Sequence, residues 1–422
     1  MRAALSLWPL LMAAALMLSA NGLQNTILAL RGIAEGFSPT IIGLLLSAYF
    51  VGFILGCRFA PRFIAAVGHI RAFTAFASIA SAAVIAHAVI VDATCWLALR
   101  IVTGFALASL QMIMESWLND RADNATRGQV LSVYRIVDFT GITLAQASVA
   151  LFDPTAFIPF AVMSIALSVA LVPVALTRVK APAVPATAKL DLKRLWSVSP
   201  LAAASALGIG ITASSFWSMG PLFVSDYGYE PAVVGYFIAA IIFGGAVAQW
   251  PIGYISDRAD RRWVITFVSL GAGIVALFLP WAAEISERSL IVAALIFGIF
   301  ALPGFGLAIA HANDHAEPGQ SVSVNGALLM LYGVAAVAGP VIAPFVMKAL
   351  GQAALFYWVS GLYAVLVLFC FYRMTQRAAP ENQEPYVPVP RTSPAIFELD
   401  PRSEDVEQDA EDSTDGTSTT AQ

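Results

Sequence analysis

The sequence predicts an all-α membrane protein, with twelve transmembrane helices in two pseudo-symmetric halves of six. Three observations predict it. Apolar residues fill 59% of 422 positions and charged ones only 12%, with a mean hydropathy of +0.77. A water-soluble globule carries about 25% charged residues. The apolar residues gather in runs long enough to cross a hydrocarbon core of about 30 Å as helices. Finally, short motifs in the first half of the chain return, in order, in the second.

The first run, at about 5–30, begins after Arg2. A secretory signal cleaved near Ala20 is the competing reading. The run continues past Ala20, however, and the repeat requires it as a helix. Five runs follow at about 39–60, 70–91, 94–119, 128–152 and 155–176. Thr177 to Ser197, rich in Pro, Ala and Lys, then reads as a linker. Within it, Leu190 to Trp196 suits a short interfacial helix with Lys193 and Arg194 near anionic lipid. Runs at about 198–225, 231–252, 263–282, 289–311, 321–349 and 353–375 complete the twelve. The expected organisation is a half at 1–176, a cytoplasmic linker at 177–197, a second half at 198–376 and a tail at 377–422. From Pro380 the tail is rich in Pro, Glu, Asp, Ser and Thr, the composition of a disordered, solvated extension.

Charge orients the chain. The net −4 is misleading, because residues 380–422 hold 11 acidic and 2 basic residues and leave +5 on 1–379. The acidity therefore says nothing about the substrate. An even number of spans puts both ends on one side. With both termini cytoplasmic, sixteen basic residues near span ends fall inside, and only Arg31, Arg288 and Lys348 fall outside. That agrees with the positive-inside rule. The expectation is a multi-pass protein of the lipid bilayer with both termini cytoplasmic and no nucleic-acid partner.

Catalytic chemistry has no support. Cys57, Cys95 and Cys370 lie far apart in apolar runs, with no disulfide framework or metal-ligand spacing. His311, Asp314 and His315 gather at a loop edge without a fourth ligand. No nucleophile–base spacing or phosphate loop appears, so no enzyme, cofactor or metal is expected.

The repeat is specific. Gly36-Phe37-Ser38-Pro39 with Gly43 recurs as Gly228-Tyr229-Glu230-Pro231 with Gly235, 192 positions later. Gly104-Phe105-Ala106-Leu107-Ala108 is echoed by Gly304-Phe305-Gly306-Leu307-Ala308, and Tyr134 and Gly141 by Tyr332 and Gly339. Recurring small residues are what close helix packing requires. Between two apolar runs stands Gly253-Tyr254-Ile255-Ser256-Asp257-Arg258-Ala259-Asp260-Arg261-Arg262. Five charges cannot lie in lipid, and three Arg favour a cytoplasmic turn. This stretch resembles the loop signature of the major facilitator superfamily, found between the second and third helices of each half. Arg100-Ile101-Val102-Thr103-Gly104 through Ala108 is similar to that superfamily's fourth-helix signature. Glu115-Ser116-Trp117-Leu118-Asn119 and His311-Ala312-Asn313-Asp314 look like its YcaD-like bacterial branch of uncharacterised transporters.

The resemblance covers about 1–376 and implies a fold of two parallel six-helix repeats. It implies that Asp257 pairs across a junction that opens and closes, with Gly253, Arg258, Arg261 and Arg262 around it. It also links Arg100 with proton coupling, although Arg100 could instead snorkel outward. Two departures stand out. In the first-half loop Ala65 replaces the signature Asp, so a gate there must lean on Arg62, His69 and Glu115 or be weaker. The fifth span also lacks the Gly-Pro pair typical of drug–proton antiporters, which disfavours drug efflux.

Ionisable groups within spans are costly and therefore candidates. Arg135 and Asp138, three apart on the fifth span, share a face and could pair. An internal structural bridge competes with a cavity-facing role. Glu115 could pair with Arg135, exchange a proton or act as a gate bridge. Asn21, Gln24 and Asn25 lie on one arc of the first span, and their amides should face a cavity rather than lipid. Trp217 and neighbouring hydroxyls on the seventh span, and Asn325 on the eleventh, complete the set. The leading expectation, which the resemblance implies, is a monomeric secondary active transporter that moves a small-molecule substrate across the bacterial inner membrane by alternating access, with proton coupling open. The alternative is a transporter-like membrane sensor or a membrane-complex assembly factor.

Overall fold

The structure, a computed structural model, describes residues 7–122, 126–175, 182, 191–317, 319–378, 380 and 383–400. The first half comprises α1 Trp8–Ala34, α2 Pro39–Val67, α3 His69–Val89, α4 Ala93–Arg121, α5 Arg127–Ala147, α6 Ile158–Val169 and α7 Leu171–Ala175. A short helix, α8 Leu192–Val198, precedes α9 Pro200–Asp226, α10 Pro231–Ser256, α11 Arg261–Ile285, α12 Glu287–Ala301, α13 Gly304–Asn313, α14 Ser321–Leu350 and α15 Ala354–Gln376. The helix α8 lies where an interfacial helix was expected, capped by the Asp191 carboxylate on Arg194 N (3.0 Å). Most of the remaining linker, and residues 401–422, lie outside the described residues.

Ten helical stretches among the described residues are long and apolar enough to cross a membrane, with Glu287–Asn313 counting as one. The predicted spans at 128–152 and 155–176 depart from this pattern. The fifth, α5, carries Gln129, Arg135, Asp138 and Gln146, so its apolar content falls short. The sixth is divided between α6 and α7, where Pro173 stands. Both belong to the bundle all the same: α5 packs on α1 and α10, and α6 on α1 and α3.

The repeat becomes geometry at its glycines. Gly36 and Gly228 turn with φ of +74° and +81° ahead of helices that start on Pro39 and Pro231. A positive φ suits glycine, and proline suits a first helical position. Gly52 lies against the Ile101 backbone and Gly104 against that of Tyr49, so α2 and α4 approach through reciprocal glycines. The second half repeats the device with Gly244 on Leu295 and Gly298 on Ile241. The packing counterpart of Gly104 is thus Gly298, which corrects the sequence pairing with Gly304. Gly304 starts α13 after the Pro303 break and meets Ile209 instead.

We call the side bearing the Asp257–Asp260 turn the near face and its opposite the far face. At the far face the halves touch directly. A side chain at Gly43 would strike the Pro340 carbonyl, and a Cβ at Gly235 would stand 2.5 Å from the Gln146 carbonyl. Ser47 Oγ donates across the same seam to the Val337 carbonyl (2.8 Å).

At the near face the expected disordered tail is in part ordered, which corrects the reading from composition. Pro394–Leu399 forms a 3₁₀ turn in contact with α4, α5 and α14. Ile396, Phe397 and Leu399 are wholly buried. Each contributes about 1.5–3 kcal/mol on burial. The acidic composition of the whole tail masked this apolar patch.

Candidate functional site

Between the halves lies a cavity of about 210 Å³, walled by α1, α2, α4 and α5 on one side and by Trp217, Ile242, Leu302 and Tyr332 on the other. Asn21 and Asn25, one turn apart on α1, both line it. Asn21 Nδ2 donates to Tyr49 Oη (3.2 Å), and Asn25 Oδ1 accepts from Arg100 Nη2. Gln24, on the same arc, is buried in helix packing and is not a wall residue. Thr26 Oγ1 donates to Gln146 Oε1 (2.8 Å), whose amide donates to the Gly22 carbonyl (2.8 Å). This latch fixes α1 against α5.

Arg135 and Asp138 form a bridge of 2.6 Å on the cavity wall. The guanidinium also stacks 4.0 Å from the Phe139 ring centroid. Three residues of spacing on α5 place both groups on one face, and each makes the other tolerable in a poorly hydrated site. Among the described residues, Asn21 Oδ1, Gln111 Oε1 and Arg135 Nε are buried without a hydrogen-bond partner. The wall therefore offers two acceptors and a donor within an aromatic frame that includes Phe50, Phe139 and Trp217.

Arg100 does not snorkel outward. It is buried, donates to the Leu45 carbonyl (3.3 Å) and stacks on Tyr49 with 4.7 Å to the centroid. Such a stack supplies cation–π attraction. Glu115 does not pair with Arg135. It accepts from Tyr134 Oη (3.0 Å) and from Ser393 Oγ, both hydroxyls. Asn325 is buried away from the cavity wall, and neither amide atom has a hydrogen-bond partner among the described residues.

The near-face cluster centres on Arg261, which is fully buried. It meets Asp314 at 2.8 Å, Asp257 at 3.3 Å and Ser256 Oγ at 2.9 Å. Asp314, read in the sequence as a metal-type residue and as part of a branch motif, is thus the closer carboxylate. Arg258 lies over Tyr254, 3.6 Å from its centroid. Arg262 pairs with Asp260 at 2.6 Å, and Asp260 also caps α11 through Arg262 N (3.0 Å). Partial burial alone would raise the Asp260 pKa, but hydrogen bonds and charge from Arg262 hold it below the usual carboxylate range. In the first half, Arg62 is exposed beside Phe59 and His69 packs on Trp117. Neither reaches Glu115 by a hydrogen bond among the described residues.

The model of the Major Facilitator Superfamily matches residues 10–287 and 210–399. The chain belongs to the major facilitator superfamily. It is a multi-pass membrane protein and a secondary transporter. It is similar to the uncharacterized MFS-type transporter YcaD of Shigella flexneri serotype 5b (strain 8401), at 26% identity over 352 residues, 82% of this chain and 89% of that one. The crystal structure of nucleoside transporter NupG superposes with a TM-score of 0.68, at 15% identity over 88% of this transporter and 99% of that chain. That of a D-xylose-proton symporter gives 0.69, at 13% identity over 87% and 96%. These last two likenesses show the fold alone. Sequence reasoning missed Gln111, Gln146 and Tyr332 in this transporter's cavity. The first two are amides within spans, open to the argument that singled out Asn21.

Proposed function

We propose that the transporter moves a small, polar, uncharged or zwitterionic solute across the bacterial inner membrane, coupled to protons, with its near face cytoplasmic and one chain as the working unit. One observation carries the reading. The cavity between the halves pairs an Arg135–Asp138 bridge with amide oxygens on Asn21 and Gln111 that have no hydrogen-bond partner among the described residues. A net-neutral wall with donors, acceptors and aromatic faces suits a solute with several hydrogen-bonding groups and no net charge. The neighbours whose titles name a nucleoside and a sugar as solutes support this class.

Glu115 is the proton site in this reading. Its partner within the bundle, Tyr134, is a hydroxyl, which can donate to a carboxylate or accept from a carboxylic acid. Asp138, held by Arg135, serves the charge balance of the cavity. The basic residues Arg258, Arg261, Arg262, Arg373 and Arg377 support a cytoplasmic near face. Reporter fusions at Ala93 and Asp191 should report opposite sides.

The test is uptake of a panel of sugars, nucleosides and amino acids into proteoliposomes, with and without a pH gradient. At least one solute should accumulate when the gradient is imposed. Glu115→Gln should abolish accumulation while leaving solute exchange measurable. Full gradient-driven accumulation by Glu115→Gln, and by the double variant Arg135→Gln/Asp138→Asn, would refute the coupling assignment.

A further inference from the structure

Behind α15 the chain turns back into the gap between the halves. At the second half, Tyr386 N donates to Asp257 Oδ1 (2.7 Å) and Glu384 N to Asp314 Oδ1 (3.0 Å). Arg261 donates to the Glu384 carbonyl (2.7 Å). At the first half, Asn119 donates to Glu398 Oε2 (3.3 Å), and Ser393 donates to Glu115. Between these anchors, Arg391 lies 5.1 Å from the Tyr332 centroid and, with Thr392, forms part of the cavity wall. One segment therefore grips both halves and reaches the cavity. The 210 Å³ that remains is below the roughly 300–1,000 Å³ of typical ligand pockets.

The chemistry of the segment suits this seat. Pro385, Pro388, Pro390 and Pro394 remove backbone donors and favour an extended chain. Fewer N–H groups then need partners in a poorly hydrated gap, and less freedom is lost on docking. The seat is shaped to match. A Cβ at Gly306 would stand 2.6 Å from Tyr386 Oη, and one at Gly253 would overlap the Tyr386 ring. The glycine of the loop signature thus leaves room for the chain's own tyrosine, whose hydroxyl bonds Gln249.

We propose that Pro385–Leu399 is a built-in plug: it fills the near-face entrance, holds the halves apart there and blocks transport until it leaves. The far face is already shut by the Gly43 and Gly235 contacts. Opening it requires the near-face ends of α4 and α5 to approach the turns after α10 and α13. The segment occupies the space that this approach needs. The block on transport rests on the transporter reading; the seating of the segment does not.

Seating is tested in the full chain, with Cys57, Cys95 and Cys370 replaced, by the pair Asn119→Cys/Glu398→Cys. Mild oxidation should cross-link most of the protein, and no cross-link would overturn the proposal. Blocking is tested with Ile142→Cys, a cavity-wall reporter, and a membrane-impermeant methanethiosulfonate applied at the near face. A chain ending at Pro380 should label at least tenfold faster than the full chain, and a synthetic peptide of residues 383–400 should restore protection. Equal rates with and without the segment would overturn the plug. In proteoliposomes the shortened chain should transport several-fold faster, and equal transport by both chains would overturn the inhibition. A cross-link and tenfold protection, with no solute moved by either chain, would support the seating and count against the transporter reading instead.

Discussion

At the scale of single residues, two buried ion pairs make the sharpest claims. Asp138→Asn leaves Arg135 buried without its carboxylate and should cost about 3–5 kcal/mol, read as lost folded protein. Removing both charges should recover most of it. Recovery of fold together with loss of uptake would mark the pair as part of the solute site. Arg261 ranks its partners by geometry, with Asp314 closer and fully buried and Asp257 farther and 30% exposed. Asp314→Asn should therefore lower the melting temperature of detergent-solubilised protein more than Asp257→Asn. That ranking was invisible in the sequence, where the signature singles out Asp257. Asp314 lies 53 positions from Arg261, so only the fold brings them together. Arg135 and Asp138 were legible because three residues on one helix fix their relation without tertiary structure.

At the scale of elements, helix ends and turns carry the testable chemistry. Asp260 caps α11 and binds Arg262, and its pKa is depressed in the folded state. A depressed carboxylate adds stability that is present above its unfolded pKa, about 3.9, and is lost as pH falls through the folded value. Thermal stability should therefore drop below about pH 4, and Asp260→Asn should flatten that part of the profile. An unchanged slope would remove Asp260 from the account. The glycine-proline turns at Gly36 and Gly228 were legible because a repeated local motif implies a repeated local shape. Two elements were read less well. The polar α5 looks like a span by length but lacks the apolar content, because one face serves the cavity. Gly104 was paired with Gly304 by similar letters, whereas backbone approach pairs it with Gly298.

At the scale of the whole molecule, two halves enclose a polar cavity. They are shut at the far face and held apart at the near face by their own tail. The helical bundle was legible because lipid demands long apolar helices, and ten stretches among the described residues meet that demand, whereas the fifth and sixth predicted spans do not. The tail was not, since its bulk composition hides Ile396, Phe397 and Leu399 among acids and prolines. Gly43→Leu should force the far-face seam apart at the Pro340 carbonyl. It should expose that seam to impermeant thiol reagents at a Ser47→Cys reporter.

The central claim is that the two faces open in alternation. It is tested most directly by spin-label distances in a chain whose plug is expelled by Phe397→Glu, with the native cysteines replaced. One label pair spans the near face at Arg62 and Arg258, and the other spans the far face at Val91 and Arg288, all exposed. Across a pH series with and without a transported solute, a second population should appear in which the near-face distance shortens and the far-face distance lengthens together. A single population with the far face shut under every condition would contradict alternating access.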